Sequence, residues 1–324
     1  MKAMKTAKKY NPDLILHGNL IRAILSLAIP VVINSFLQTM YNLTDTYWLG
    51  KIGTEQLAAI NLVTPMQNII TNFGSGITVA GAVLIAQYIG AGEKEDARSM
   101  ANQIFVCAMG FAVVCAALCF LGTPAIVNWL GADGGTAYYA RVYLRVVIWD
   151  MPFLYMVNIF SAVHQAQGDT VRPMFLNLGG ITLNLFLDPF FMIILDMGTA
   201  GAALATVIGQ FSSAILAVVL NSLKNYEVKL TSKCFVPDFK IIGNIYSIGI
   251  PSVIMVAIGS VMNFALKLIL KSIDPLETAN GVFGIYFKLQ SFIFMPVFGL
   301  NNGLIPVVAY NFGAKKRKRV TEAI

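Results

Sequence analysis

Long apolar runs broken by short polar stretches set the pattern of this chain. No charge falls between Ala23 and Thr44 inside a run from about Leu20 to Trp48, and none between Gln56 and Gly92. About twenty apolar residues suffice to cross bilayer hydrocarbon as a helix, so each run reads as a membrane span. Further runs cover about Ala101 to Val127, Tyr138 to Gln165, Met174 to Leu195, Thr199 to Leu223, Ile241 to Leu270 and Ala279 to Tyr310. The pattern predicts an all-α polytopic membrane protein of about eight transmembrane helices.

The breaks carry turn chemistry. Gly90-Ala91-Gly92 followed by Glu93 to Arg98 ends the second run, Gly131 to Gly135 the third, and Gln165 to Pro173 the fourth. Asn221 to Lys240 is polar and basic and holds Pro237, which marks it as a linker.

Polar residues inside the runs are the candidate chemistry. Asp188 is the one charge between Met174 and Leu195. A carboxylate at the centre of a membrane helix costs about 2.5 kcal/mol or more, so it is expected to face the bundle interior. Asn184 lies one helical turn before it on the same face, and Pro189 removes a backbone donor beside it. In the first span Gln38, Tyr41, Asn42 and Asp45 fall at helical spacing as a polar stripe, and Pro30 is expected to kink that helix. Asp150 sits near the middle of the fourth span, either as a further cavity acid or paired with Arg145 or Arg141 one turn or more away. Lys288 is a cation deep in the eighth span, suited to a cavity role or to snorkelling. The sixth span, dense in small residues, includes Thr206 and Gln210.

An internal repeat orders the spans. At an offset of 221, Ser247, Ile250, Pro251, Val253 and Ile254 repeat Ser26, Ile29, Pro30, Val32 and Ile33, and Asn263 repeats Asn42. At 223, Gln290, Gly299, Ala309 and Gly313-Ala314 fall on Gln67, Gly76, Ala86 and Gly90-Ala91. A repeat after six spans keeps the same orientation, so the two units are parallel repeats about an axis along the membrane normal. The expected division is a cytoplasmic segment over 1–19, a complete six-helix lobe over 20–223, a cytoplasmic linker over 224–240, and a partial second lobe over 241–324. Four further helices are expected to complete that second lobe. Asp45 falls on Leu266 in the repeat, so the acid is not a packing requirement of this helix type.

Composition agrees with the spans: 57% of residues are hydrophobic, 12% are charged, and mean hydropathy is +0.70. The net charge of +7 does not point to nucleic acid, because seventeen of the Lys and Arg residues fall on one predicted side and five on the other. The positive-inside rule then puts both chain ends in the cytoplasm. The Lys315 to Arg319 run reads as an anchor at lipid headgroups. Cys107, Cys115, Cys119 and Cys234 show no metal-ligand spacing and read as small apolar residues. The basic N-terminus leads into a run too long for a cleaved leader. No nucleophile with a base, metal cluster or phosphate loop falls within the spans, so the expectation is not an enzyme.

Pro30, Asn42-Leu43-Thr44-Asp45, Gly90-Ala91-Gly92, Gln167-Gly168-Asp169-Thr170, Leu183-Asn184 through Asp188-Pro189, and Gly313-Ala314 together resemble the multidrug and toxic compound extrusion (MATE) family. The resemblance covers the chain from about Leu20 onward. It implies two six-helix bundles rocking about a central cavity in the plasma membrane of a bacterium or archaeon. It also implies a coupling-cation site at Asp45, Asn184, Asp188 and Thr206, and a helix-one bend at Pro30 coupled to protonation. The family's activity is antiport: small organic, often cationic, drug-like compounds leave in exchange for Na⁺ or H⁺, with no cofactor and with membrane lipids as surroundings. Asp150 departs from the family's pattern. A flippase for lipid-linked sugars is an alternative that would favour a more cationic cavity; a non-transporting fragment or assembly partner is another.

Overall fold

The computed structural model describes residues 12–223, 228, 238–273 and 278–324. The apolar runs become α1 (Leu20–Ile52), α2 (Thr54–Ala91), α3 (Lys94–Trp129), α4 (Gly134–Val147), α5 (Asp150–Ala166), α6 (Val171–Pro189), α7 (Gly198–Leu223), α8 (Phe239–Ile273) and α9 (Thr278–Gly313). Short helices cover Pro12–Leu16 and Arg317–Ala323. Among the described residues, six helices are long and apolar enough to cross a membrane, or seven with α4 and α5 taken as one bent span. The expected seventh span, α8, shows a shorter apolar stretch over Ile241–Pro251. The basic residues before Pro12 and most of the predicted linker lie outside the described residues. Lys288 is on α9, but its side chain is likewise outside them.

One span differs from the sequence expectation in its interior, and another follows it. The fourth is not one helix: α4 and α5 meet at a 45° bend, so Asp150, at the middle of the bent span, begins a half-helix. Pro152, in the first turn of α5, explains the break. It has no N–H, and in a continuous helix its ring would clash with the carbonyl of Ile148. The fifth span loosens after Pro189, as its missing donor predicts, and continues as a π-helical turn at Phe190–Ile194 closed by Leu195 N–H to Phe190 O at 3.0 Å. By contrast α1 runs through Pro30 as one helix.

α2 is the hub, packed against α3, α4, α5, α8 and α9. Its Ile77, Leu84, Ile85 and Ile89 share one buried cluster with Met100 and Ile104 of α3, Tyr155 and Ile159 of α5, Ile245 of α8 and Tyr310 of α9. Lipid is as apolar as these side chains, so close packing between small residues holds such helices together. At Gly74 a Cβ would overlap the Tyr155 ring, whose hydroxyl donates to Ile70 O at 2.7 Å.

Contacts between the first and last helix pairs come in repeat-related couples. Gly90 lies against the carbonyl of Tyr310, and Gly313 against that of Gln87; an offset of 223 carries one couple into the other. Gly76 faces Val253 and Gly299 faces Val32, while Gly249 faces Ala80 and Gly303 faces Ala28. α2 ends at Gly92 with φ 85°, the N–H of Glu93 reaching back to Tyr88 O at 2.9 Å. The equivalent end of α9 has Lys315 in the left-handed conformation, φ 57°, with Lys316 N–H on Asn311 O at 2.9 Å.

Two side chains of the basic C-terminal run hold the segment that precedes α1. Lys316 Nζ donates to Leu16 O at 3.0 Å, and Arg319 Nη2 donates to Ile15 O and Gly18 O at 3.0 and 2.9 Å. Asn311 Nδ2 donates to Ile15 O at 3.2 Å. These side chains cap carbonyls at the end of the Pro12–Leu16 helix, where the helix itself supplies no donors. Losing both cations in K316A/R319A is expected to remove about 1–2 kcal/mol of this local clamp. Amide exchange over residues 12–18 should then accelerate about tenfold; unchanged exchange would show that the clamp carries no stability.

Candidate functional site

The fifth span supplies the site's floor. Asn184 and Asp188, one turn apart on α6, are 4% and 1% exposed. α6 can approach α7 closely because Gly180 and Gly209 meet there, a Cβ on Gly180 coming 2.9 Å from Gly209 O. That approach brings Asn184 Nδ2 to Thr206 Oγ1 at 3.5 Å, while Thr206 donates to Ala202 O at 3.0 Å. α1 closes the other side, with the Tyr41 hydroxyl against Thr206 and Asp45 within electrostatic range of Asp188.

Gln38, Tyr41, Asn177, Gly180, Ile181, Asn184, Thr206, Gly209, Gln210 and Ser213 line a polar cavity of about 30 Å³. That is room for a water molecule or two, or a small ion with few waters, and too little for an organic compound. Asp188 lies beyond this cavity, one turn further along α6 from Asn184.

Both carboxylate oxygens of Asp188 are buried without a hydrogen-bond partner, as is Asn184 Oδ1. Among the described residues no Lys or Arg forms an ion pair with Asp45, Asp150 or Asp188; the two ion pairs present are Arg98–Glu95 and Arg172–Asp169. A buried carboxylate with neither partner nor cation is strongly disfavoured. The donor set of carboxylate, amide carbonyl and hydroxyl oxygens is hard and suits a small cation or a proton. Among the described residues no three His, Cys, Asp or Glu side chains gather as a metal cluster.

The structure thus brings together Asp45, Asn184, Asp188 and Thr206, with Tyr41 and Gln38 alongside. Asn42 is exposed and does not line the cavity, so the expected α1 stripe is split between two faces. Pro30 is buried two turns away from Gln38 on the same helix. Asp150 forms no ion pair with Arg141 or Arg145, the alternative that its spacing allowed; Arg141 Nη2 instead donates to Asn128 Oδ1 at 2.9 Å.

Four residues escaped the sequence reading. Asn177 lies seven residues before Asn184, and Ser213 seven after Thr206, so helical spacing could have revealed both. Tyr143, on α4, lies near the side chain of Gln67 on α2 and within electrostatic range of Asp45, Asp150 and Asp188. No local signal marked Tyr143 or Gln67.

The MatE family matches residues 30–190 and 251–324. The multidrug export protein MepA of Staphylococcus haemolyticus (strain JCSC1435) is 25% identical over 302 residues, 93% of this chain and 66% of that protein. MepA of Staphylococcus aureus (strain MSSA476) is 27% identical over 298 residues, 91% of this chain and 65% of that protein. The chain therefore spans just under two thirds of the length of these relatives. Among solved structures, a MATE protein in complex with MaL6 superposes with a TM-score of 0.92 at 26% identity, covering 98% of this chain and 70% of that one. A MOP superfamily transporter from Pyrococcus furiosus superposes with a TM-score of 0.90 at 26% identity, covering 97% and 69%.

Proposed function

The chain belongs to the MatE family, and from that premise we propose that it serves cation-coupled export of organic compounds. In this reading small, often cationic, drug-like molecules leave the cell in exchange for Na⁺ or H⁺. The protein is a multi-pass membrane protein; we place it in the plasma membrane with its charge-rich face in the cytoplasm. The observation that carries the reading is Asp188, an acid 1% exposed with both oxygens unpartnered, within electrostatic range of Asp45 on α1. The names of the MepA relatives support the class of exported compound.

The energetics suit a two-state device. One cation entering down 100 mV releases about 2.3 kcal/mol, and a tenfold concentration gradient adds about 1.4 kcal/mol. Full switching between 1:99 and 99:1 needs about 5.5 kcal/mol. A single cation, at about 3.7 kcal/mol, therefore inverts a ratio of about 1:20 but falls short of full switching, whereas one at each of Asp45 and Asp188 would exceed it.

The test is loss of a cationic dye from cells producing the chain, with sodium present, with sodium replaced by choline, and with a protonophore. Efflux above control cells that fails in one of the latter two conditions supports the reading and names the ion. Efflux indifferent to both ions would overturn it. Thr206→Val, which keeps shape but removes the hydroxyl met by Asn184, should weaken apparent affinity for the coupling ion about three- to tenfold. An unchanged ion dependence would remove Thr206 from the site.

A further inference from the structure

The tight crossings that join α8 and α9 to the rest of the bundle lie toward one end. Gly303 meets Ala28 in the first half of α1, Gly249 meets Ala80 in the second half of α2, and Gly90 meets Tyr310 near the ends of α2 and α9. Successive spans cross in opposite directions, so the first halves of α1 and α8 share an end with the second halves of α2 and α9. Residues 12–18 lie at that end, just before α1.

There the segment is held from two sides. From beyond α9, Asn311 Nδ2 and Arg319 Nη2 donate to Ile15 O at 3.2 and 3.0 Å, Arg319 Nη2 also to Gly18 O at 2.9 Å, and Lys316 Nζ to Leu16 O at 3.0 Å. From the other side, the Ile15 side chain is 4% exposed and shares a buried cluster with Val163 and Ala166 of α5. Its Cδ1 lies over Gly168, in the turn between α5 and α6, where an added Cβ would come within 2.8 Å. The segment thus meets α5 and α6 with a side chain and α9 with its backbone.

The grip is not a packing requirement of the repeated helix pair. At an offset of 223, Asn311, Lys316 and Arg319 fall on Tyr88, Glu93 and Asp96, so the first unit has acids where the second has the two cations.

We propose that residues 15–18 are a strap that ties the end of α9 to the α5–α6 turn and keeps this end of the bundle shut. One of the two grips must release before the end can open. A strap is a link in series: cutting either grip frees it, and cutting both frees it no further. The inference concerns only how this end opens, and it stands whichever ion or compound the chain moves.

The test places a thiol in the closed crossing by Ala80→Cys. Ala80 is 0% exposed and faces Gly249, where an added Cβ would come no nearer than 3.6 Å to any atom, so a sulfur has room there. The purified full chain in detergent is treated with a small methanethiosulfonate reagent. Modification at position 80 is followed by mass spectrometry of its own peptide, apart from the native cysteines. K316A/R319A cuts one grip and Ile15→Ala the other. K316A/R319A should speed modification about tenfold, the shift expected from losing hydrogen bonds to charged donors. Ile15→Ala should speed it at least as much, and the combined variant should be no faster than the faster of the two. K316A/R319A leaves the buried cluster intact and so keeps the test decisive if Ile15→Ala misfolds. Parent rates in the variants, or rates that multiply in the combined variant, overturn the proposal. Faster amide exchange over residues 12–18 with unchanged modification at position 80 also overturns it, because the segment would then be clamped without closing anything.

Discussion

Asp188→Asn is expected to reduce dye efflux to the level of cells lacking the chain, while the variant protein still reaches the membrane. Asn keeps the volume of the side chain and can still hydrogen-bond, so packing in a site that is 1% exposed is preserved. It cannot carry the charge that a cation neutralises. Without a charge that differs between loaded and empty states, the ion no longer favours one arrangement of helices over the other, and its gradient does no work. Asp45→Asn should produce a smaller loss, because Asp45 is only partly buried and both oxygens of Asp188 remain. Efflux by Asp188→Asn cells matching the parent would remove Asp188 from the mechanism.

Gly90→Val is expected to be the most damaging change away from the site. A Cβ at Gly90 would overlap the backbone carbonyl of Tyr310, and its repeat partner Gly313 stands in the same relation to Gln87. A side chain tip can swing aside, but a helix carbonyl cannot, so α2 and α9 must separate. Overpacking of this kind costs about 1–3 kcal/mol or more, and in a membrane no hydrophobic term restores the lost contact. The thermal midpoint of the detergent-solubilised chain should fall by several degrees, and Gly313→Val should fall with it. Gly110, on α3, has open space around it: a Cβ added there would meet nothing within 4 Å. Gly110→Ala is therefore the control, expected to be neutral or to raise stability by about 0.5–1 kcal/mol. Equal midpoints for Gly90→Val and Gly110→Ala would contradict the close-packed crossing.

The spans and the acid were legible in the sequence because lipid leaves little freedom. A charge such as Asp188 in an apolar run must be enclosed, and period-3.6 spacing is enough to put Asn184 beside it. The repeat was legible partly because Gly90 and Gly313 occupy equivalent crossings that tolerate few residues. The break between α4 and α5 was written in Pro152, but a proline in a membrane helix can bend or interrupt it, and composition does not say which. Tyr143 and Gln67 were not legible: an uncharged polar side chain in a span gains meaning only from the neighbours that other helices bring. The same is true of Lys316 and Arg319, whose bonds to the Ile15 to Gly18 carbonyls exist only once the fold brings these segments together.

The most direct measurement of the central claim uses everted membrane vesicles from cells producing this chain, with a fluorescent organic cation outside and Na⁺ or H⁺ concentrated inside. The account predicts dye accumulation that follows one of the two gradients, collapses when that gradient is dissipated, and is absent with Asp188→Asn. Accumulation that ignores both gradients, persists in Asp188→Asn, or never exceeds that of vesicles lacking the chain would contradict it.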